Sequence, residues 1–558
     1  MRFHPLSYVL CSLALAPVSF AVKAQVTPDA GSLRQQIEQQ MMPSLPDAAP
    51  APAVKPPPEI RPQQGVKVFV KEFRVGGNTL LQTSQLLPAV ASFTNQELDF
   101  AGLQRAADAI AAVYREAGWI VRVYLPEQDV SAGVVTLYVV EAKFAGTRFE
   151  GDAPRWVRQD VIERYFSAHQ AVGAPLSATD MDRALLLADD LPGVHVAGTL
   201  TQGEADGETA LVLQTKDEAL AYGDVSVDNT GARSTGSTRL RANLAINSPL
   251  GWGEQLTFNG LHTEGMTYGR AGLTAPVGYS GLRLGVNASQ LTYNVIEGPG
   301  SQSDIRVRGG SNSFGFDASY PLIRDRLKNL YVTASFDNKT FLNRDTLIRS
   351  DYATRSARLG LSGNSFDDFG GGGSNTLLVQ SVWGRLGDMN VHPLMDTIHR
   401  SYNKIDYSLS RLQKITADHS LFVSWKGQHA TRSLDSSEKF YIGGAQSVRA
   451  YPASEIGGGR GQVVSVEWRW RVLPDLQLSA FGDYGRVTSI PATANDVQVS
   501  SILKGYGLSA TWQGPYGLVT SLTWARRSGA NPQPTATGTD GDGTRKLNRF
   551  WLTASIPF

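Results

Sequence analysis

Beyond its first two dozen residues this chain has no cysteine. The one it carries is Cys11, so the rest of the protein has neither a disulfide frame nor thiolate chemistry. It also lacks an excess of charge of one sign. Lys+Arg 52 against Asp+Glu 51 over 558 residues leaves +1, which offers nucleic acid no basic field and is not the signature of an acidic solvating chain. After the N-terminus no apolar run approaches the ~20 residues of a membrane-spanning helix. That excludes a helical membrane protein but not a membrane barrel, whose strands are only half apolar. Sites for chemistry are missing too. His4, His169, His195, His262, His392, His399, His419 and His429 show no metal-binding spacing. There is no Gly-x-Ser-x-Gly elbow and no phosphate loop, since Gly370–Gly373 lacks a following Lys-Ser/Thr. Glu467 and Arg469 read as charges of a wall rather than a catalytic pair. The sequence calls for no cofactor, no metal and no enzyme activity.

At the N-terminus Arg2 and His4 precede an apolar stretch, Leu6 to Val22, ending at Val22-Lys23-Ala24. Residues 1–24 read as a secretory signal peptide. Within 25–42 a helix is expected over 30–42. Leu33, Ile37 and Met41 fall on one face, and Arg34 and Glu38 make an i, i+4 pair on another. Such a short helix is marginal alone, so it should dock. Residues 43–65 carry eight prolines and form an extended linker. The segment is either a disordered mature N-terminus or a tethered helical plug.

Residues 66–142 read as an α+β unit. Val66, Val68 and Val70 alternate as a strand. Leu103, Ala106, Ala107, Ile110, Val113 and Tyr114 form a helical stripe that ends at Gly118, before strands at 119–125 and 133–140. Residues 143–219 repeat the order: a strand at 143–149, a helix near 156–168, a second helix capped by Ser177-x-x-Asp180, then strands at 194–201 and 208–215. The two units repeat at a period of ~75 residues.

From 220 to 558 the composition changes: 42 of the 56 glycines fall there, and period two replaces helical periodicity. Val464, Val466, Trp468, Trp470 and Val472 alternate with Ser465, Glu467, Arg469 and Arg471. Sixteen such segments follow one another, the first near 220 and the last near 547. Export, an even and large strand number, charges confined to one face and aromatics at strand ends favour a transmembrane barrel over a soluble sandwich. Sixteen strands enclose a lumen wide enough for a channel.

Between the eleventh and twelfth strands lies Phe440-Tyr441-Ile442-Gly443-Gly444-Ala445-Gln446-Ser447-Val448-Arg449-Ala450-Tyr451-Pro452, and the thirteenth carries Phe481-Gly482-Asp483-Tyr484-Gly485. Leu476, Leu478 and Ala480 share the lipid parity, so Phe481 and Asp483 point into the lumen. A carboxylate there needs a partner or water. Arg449, on a Gly-flanked loop long enough to fold inward, is one candidate for a bidentate pair. A solvated Arg449 above a hydrated Asp483 is the other reading, and parity leaves both open.

In these motifs the chain resembles the two-partner secretion transporters (TpsB, the ShlB/FhaC/HecB group) of the POTRA-barrel superfamily. The resemblance covers nearly the whole chain, down to the terminal Phe558, and the turn Tyr124-Leu125-Pro126-Glu127-Gln128-Asp129 is similar to a first-POTRA signature. It implies a 16-stranded antiparallel membrane β-barrel over 220–558, POTRA domains over 66–142 and 143–219, and a plug helix carrying Leu33, Ile37 and Met41. It places Val448, Arg449, Ala450 and Tyr451 inside the barrel near Phe481, Asp483 and Gly485, which favours the pair. Ala450 stands where the group has glycine. Alanine is less free to adopt φ > 0, so a slightly altered loop tip is expected. Phe558 is the implied C-terminal barrel signal.

The implied function is that of an outer-membrane transporter in a Gram-negative cell, type Vb, with POTRA domains in the periplasm. It would capture a large unfolded exoprotein (an adhesin, a cytolysin or a contact-dependent toxin) and pass it to the surface. Its other implied partners are outer-membrane lipid and, during biogenesis, the barrel-assembly machinery and periplasmic chaperones; nucleic acid is not among them. A barrel insertase shares the barrel and loop motif, but usually has more POTRA units and lacks the plug. A passive porin lacks POTRA units, and an outer-membrane enzyme would need a nucleophile constellation.

Overall fold

The computed structural model describes residues 28–40, 45–48, 67–298, 306–345, 349–390, 400–491 and 497–558. The leader, Met41, Val66 and most of the proline-rich stretch lie outside them. Helix α1 (Ala30–Glu38) comes first. Asp29 caps it by accepting from the Ser32 N–H at 2.8 Å, and the Ser32 hydroxyl accepts from the Asp29 N–H at 3.2 Å. The helix is shorter than the sequence suggests, closing through a turn at Gln39 and Gln40.

The first α+β unit runs β1 (Val68–Val70), β2 (Glu72–Gly76), α2 (Thr83–Val90), β3 (Gln96–Leu98), α3 (Phe100–Glu116), β4 (Val121–Tyr124) and β5 (Val134–Glu141). β5 is central, parallel to β2 and antiparallel to β4. Leu103, Ala106, Ala107, Ile110 and Tyr114 on α3 are buried in one core with Val135, Leu137 and Val139 of β5. Helix α2 escapes a sequence reading because it contains Pro88, ordinarily a breaker; Leu86 and Val90 anchor it in the core.

The second unit runs β6 (Lys143–Glu150), α4 (Gln159–His169), α5 (Ala178–Asp189), β7 (Val194–Gln202) and β8 (Glu208–Asp217), with β8 central. Ser177 Oγ caps α5 by accepting from the Asp180 N–H at 3.1 Å. Main-chain bonds from Ala178 N to Gly118 O (2.8 Å) and from Leu176 N to Ala142 O (2.7 Å) tie the two units together.

The wall follows. Its strands are β9 (Ala221–Asp228), β10 (Arg239–Asn247), β11 (Gln255–Thr263), β12 (Met266–Pro276), β13 (Arg283–Asn294), β14 (Arg308–Arg324), β15 (Lys328–Arg344) and β16 (Arg349–Asp367). Then come β17 (Gly373–Asn390), β18 (Ser401–Lys414) and β19 (His419–Ala430), a separate hairpin of β20 (Phe440–Ile442) and β21 (Ile456–Gly458), and β22 (Arg460–Leu473), β23 (Leu476–Thr488), β24 (Ser500–Gln513), β25 (Val519–Arg527) and β26 (Asn548–Pro557). Apart from the hairpin, these make a closed antiparallel barrel of sixteen strands. It closes where Thr553–Pro557 pairs with Asp224–Asp228, and Phe558 exchanges main-chain bonds with Gly223 at 3.0 and 3.1 Å. Many outward residues are apolar or aromatic: Val466, Trp468 and Trp470 on β22 are exposed, whereas the inward Asp483 is buried. Large exposed indoles in a regular row suit lipid, not water.

The second unit grips the near end of this barrel. Asp190, at the end of α5, accepts two bonds from Arg324, both 2.7 Å. Asp182 accepts from Arg326 Nε at 2.8 Å, and Arg183 donates to the Pro321 carbonyl at 2.7 Å. The contacts gather on the β14–β15 turn and fix how the α+β units sit under the lumen. Asp190→Ala leaves the buried Arg324 guanidinium with only neutral acceptors, a loss of about 1–3 kcal/mol of docking. Proteolysis across 217–221 should accelerate while the barrel stays heat-modifiable; unchanged protection would show that the clamp is dispensable.

Candidate functional site

The segment 431–459 does not project away from the barrel mouth but folds into the lumen. The hairpin β20–β21 forms its stem, and Val448, Ala450 and Tyr451 at its tip are fully buried, packed with Phe481, Val487, Leu503 and Ala525 of the wall. Arg449 points at β22 and β23. Its Nε and Nη2 donate to the two oxygens of Asp483 at 2.9 and 2.8 Å, and its own N–H adds a third bond at 3.0 Å. Nη1 reaches Glu467 at 2.9 Å and Nη2 reaches Ser465 Oγ at 2.9 Å. The guanidinium carbon lies 3.3 Å from the centre of the Phe481 ring. The ladder makes this constellation possible, because Ser465 faces Asp483 and Glu467 faces Phe481 across β22 and β23. From the last strand, Trp551 Nε1 donates to the Arg449 carbonyl at 2.7 Å. One residue thus ties the loop to three strands.

Two wall glycines make room for the tip. A Cβ on Gly485 would sit 2.7 Å from Val448 Cγ2, and one on Gly505 would sit 2.5 Å from the Ala450 Cβ. Ala450 does not demand the left-handed backbone that would set alanine apart from glycine. Left-handed backbone falls on Gly443 (φ 105), Gly444 (φ 96) and Ser454 (φ 53), whereas Ala450 keeps an ordinary negative φ and places its methyl on Gly505.

Helix α1 lies in the same lumen. Leu33 and Ile37 pack with Leu291, Tyr293, Phe341 and Tyr352 of the inner wall. The charged face is buried as well, which its pattern did not reveal. Arg34, only 1% exposed, donates to Ser289 (2.7 Å), Ser311 (3.1 Å) and Ser313. Glu38 bridges Arg34 (2.8 Å) and Lys339 (2.6 Å). Asp29 accepts from Ser436 Oγ at 2.8 Å, and Gln39 donates to the Lys439 carbonyl at 3.3 Å. The helix therefore touches both the wall and the loop stem. Where the linker is described, the Pro46 carbonyl accepts from Asn364.

The loop also meets the β25–β26 connection. Glu455 accepts the Gly541 N–H with both oxygens (2.9 and 3.0 Å) and the Asn531 amide. Asp540 is held by Arg527 through two 2.9 Å bonds. Burial, reinforced by Asp540 and Asp542, pushes Glu455 up to about 7 against the pull of the Gly541 and Asn531 donors. Its ordinary value is 4.5, so the folded loop holds the proton more tightly than the unfolded chain. The stabilisation is complete below the ordinary value and is lost as pH rises through about 7. Protease attack within 528–547 should be slower at mildly acidic pH than at mildly alkaline pH, and Glu455→Gln should flatten that dependence. An unchanged dependence in the variant would assign it to another group.

Comparison with known proteins agrees with this arrangement. The family model for haemolysin secretion/activation protein ShlB/FhaC/HecB matches residues 207–511, and a ShlB-type POTRA domain matches 68–142. The heme/hemopexin transporter protein HuxB of Haemophilus influenzae is 24% identical over 94% of this chain and 96% of its own. The outer membrane transporter CdiB of Escherichia coli is 24% identical over 93% of this chain and 88% of its own. A solved structure of CdiB from Escherichia coli superposes with a TM-score of 0.70 at 20% identity, covering 96% of this chain and 100% of that one. The chain belongs to the haemolysin secretion/activation protein family ShlB/FhaC/HecB, the outer-membrane transporters of two-partner secretion, and its POTRA units lie in the periplasm.

Proposed function

We propose that the two POTRA units catch one large unfolded exoprotein in the periplasm and feed it through the barrel, with α1 as a resting plug. The observation that carries this reading is a lumen occupied in part by α1 and the inward loop, both held by side-chain contacts rather than by the wall's own ladder. Such contacts can be exchanged for others without opening the barrel. β2 and β4 bound the first sheet, β6 and β7 the second. Strand addition to such an edge suits cargo of many sequences, because its bonds are main-chain bonds. Folding of the cargo outside supplies the direction, since the chain carries no nucleotide motif. Barrel-assembly machinery and periplasmic chaperones act on the transporter itself during biogenesis, with Phe558 as the signal. The cargo is of the adhesin, cytolysin or contact-dependent toxin class.

In this reading the Arg449–Asp483 pair pins the loop in a transport-competent position. Leaving one partner of a desolvated pair alone costs about 3–5 kcal/mol. Arg449→Ala and Asp483→Ala should each lower surface delivery of the exoprotein by about tenfold or more at normal membrane levels, and the double variant should be little worse. Fully additive losses would refute the pairing.

Deleting residues 30–38 tests the plug. Single-channel conductance in planar bilayers should rise, because a segment that occupies the lumen is gone. Conductance equal to that of the intact protein would sink the plug role while leaving the transport reading intact.

A further inference from the structure

Strand parity sorts the barrel's side chains into an inward and an outward set. Arg486 on β23, Lys504 on β24 and Arg526 on β25 belong to the outward set and are exposed. They share the parity of the exposed Leu478, Leu508 and Leu522 on the same strands. The ladder fixes their spacing. Arg486 faces Ile502, two residues from Lys504, and Arg526 faces Tyr506, two residues from Lys504 on its other side. Each cation is the diagonal neighbour of the next, with successive positions about 7–8 Å apart.

The three positions lie near one level. Each step along the row moves one strand sideways and two residues toward the periplasm. The strand ends step in the same sense: β12 runs two residues past Thr274, which faces the first residue of β11, and β26 runs two past Ser555, which faces the first residue of β25. Arg486 is ten residues beyond Leu476, the first residue of β23. For a tilted strand that is a height of about 25 Å, the upper edge of an apolar band. Directly below each cation, two residues deeper on the same strand, is an aromatic ring: Tyr484 under Arg486, Tyr506 under Lys504 and Trp524 under Arg526. Tyr506 and Trp524 meet edge to face at 6.4 Å, and Lys504 Nζ lies 6.0 Å from the Tyr484 ring. This is the layering of a membrane interface, with a girdle of rings under a row of charge.

The charge of this row is uncompensated. Among the described residues none of the three cations makes an ion pair, and like charges on neighbouring strands repel. The row is not continuous round the wall: the outward positions of β9–β13 carry neither Lys nor Arg, and a separate outward pair, Arg355 facing Arg385, lies on β16 and β17.

We propose that Arg486, Lys504 and Arg526 bind the phosphate groups of an anionic lipid in the outer leaflet, whose acyl chains cover the apolar wall below. Guanidinium forks and an ammonium match phosphate oxygens, and the ligand neutralises the row. Arg486 sits three residues from Asp483 on the opposite face of β23, so the bound lipid braces from outside the strand that holds Arg449 from inside.

The test uses the full-length protein in mild detergent with bisphosphorylated lipid A as probe, bound lipid being counted by native mass spectrometry. Replacing the row by Arg486→Gln, Lys504→Gln and Arg526→Gln should lower lipid retention about tenfold or more. Arg486→Lys with Arg526→Lys should retain most of it. Dephosphorylated lipid A should bind poorly, and inorganic phosphate at equal concentration should not displace the lipid. A heat-modifiable triple variant that keeps lipid at the unaltered level overturns the proposal, as does equal binding of dephosphorylated lipid A. Displacement by inorganic phosphate overturns the assignment to a lipid.

Discussion

A strand that crosses lipid must find hydrogen-bond partners on both sides, because the bilayer core supplies none. This chain meets that demand by joining β26 back to β9, and the rest of its architecture follows from that closure. Sixteen strands leave a space that their own side chains do not fill. The space is occupied by α1 and by the loop between β19 and β22, two segments that contribute nothing to the wall's ladder. The wall's ladder is thereby complete without its contents.

The contents are held by charge rather than by apolar burial alone. Arg449 meets Asp483, Glu467, Ser465 and the Phe481 ring, and Arg34 meets three serines and Glu38. Buried ions are costly to desolvate, so such pairs add less stability than apolar packing of equal volume. What they contribute here is a defined seat. An arginine that has only one place to satisfy five donors holds a loop or helix in one register, and it lets go as a unit when its partners are replaced.

The α+β units and the barrel are joined through similar chemistry. Asp190 and Asp182 on α5 meet Arg324 and Arg326 at the β14–β15 turn, while main-chain bonds between residues 118 and 178 unite the two POTRA units. The α+β units are therefore held in a fixed orientation against the near end of the barrel.

Much of this was legible in the amino acids themselves. Period two from residue 220 onward reveals sixteen strands because lipid and lumen impose opposite demands on alternate side chains, and those demands are local. Parity likewise aims Phe481 and Asp483 inward, and the spacing of Leu33 and Ile37 gives α1 its docking face. Other features are invisible in sequence. Helix α2 hides behind Pro88, whose propensity is overruled by the burial of Leu86 and Val90. Arg34 and Glu38 look like a solvated i, i+4 pair until Ser289, Ser311 and Lys339 close around them. Ala450 reads as a conformational restriction until Gly505 appears opposite it. Glu455 has no local sign of its partner Gly541, 86 residues away. Local alternation and propensity fix elements and faces, since they depend on neighbours in the chain. Which buried charge meets which partner depends on strand register around a closed ring, and only the folded barrel sets that.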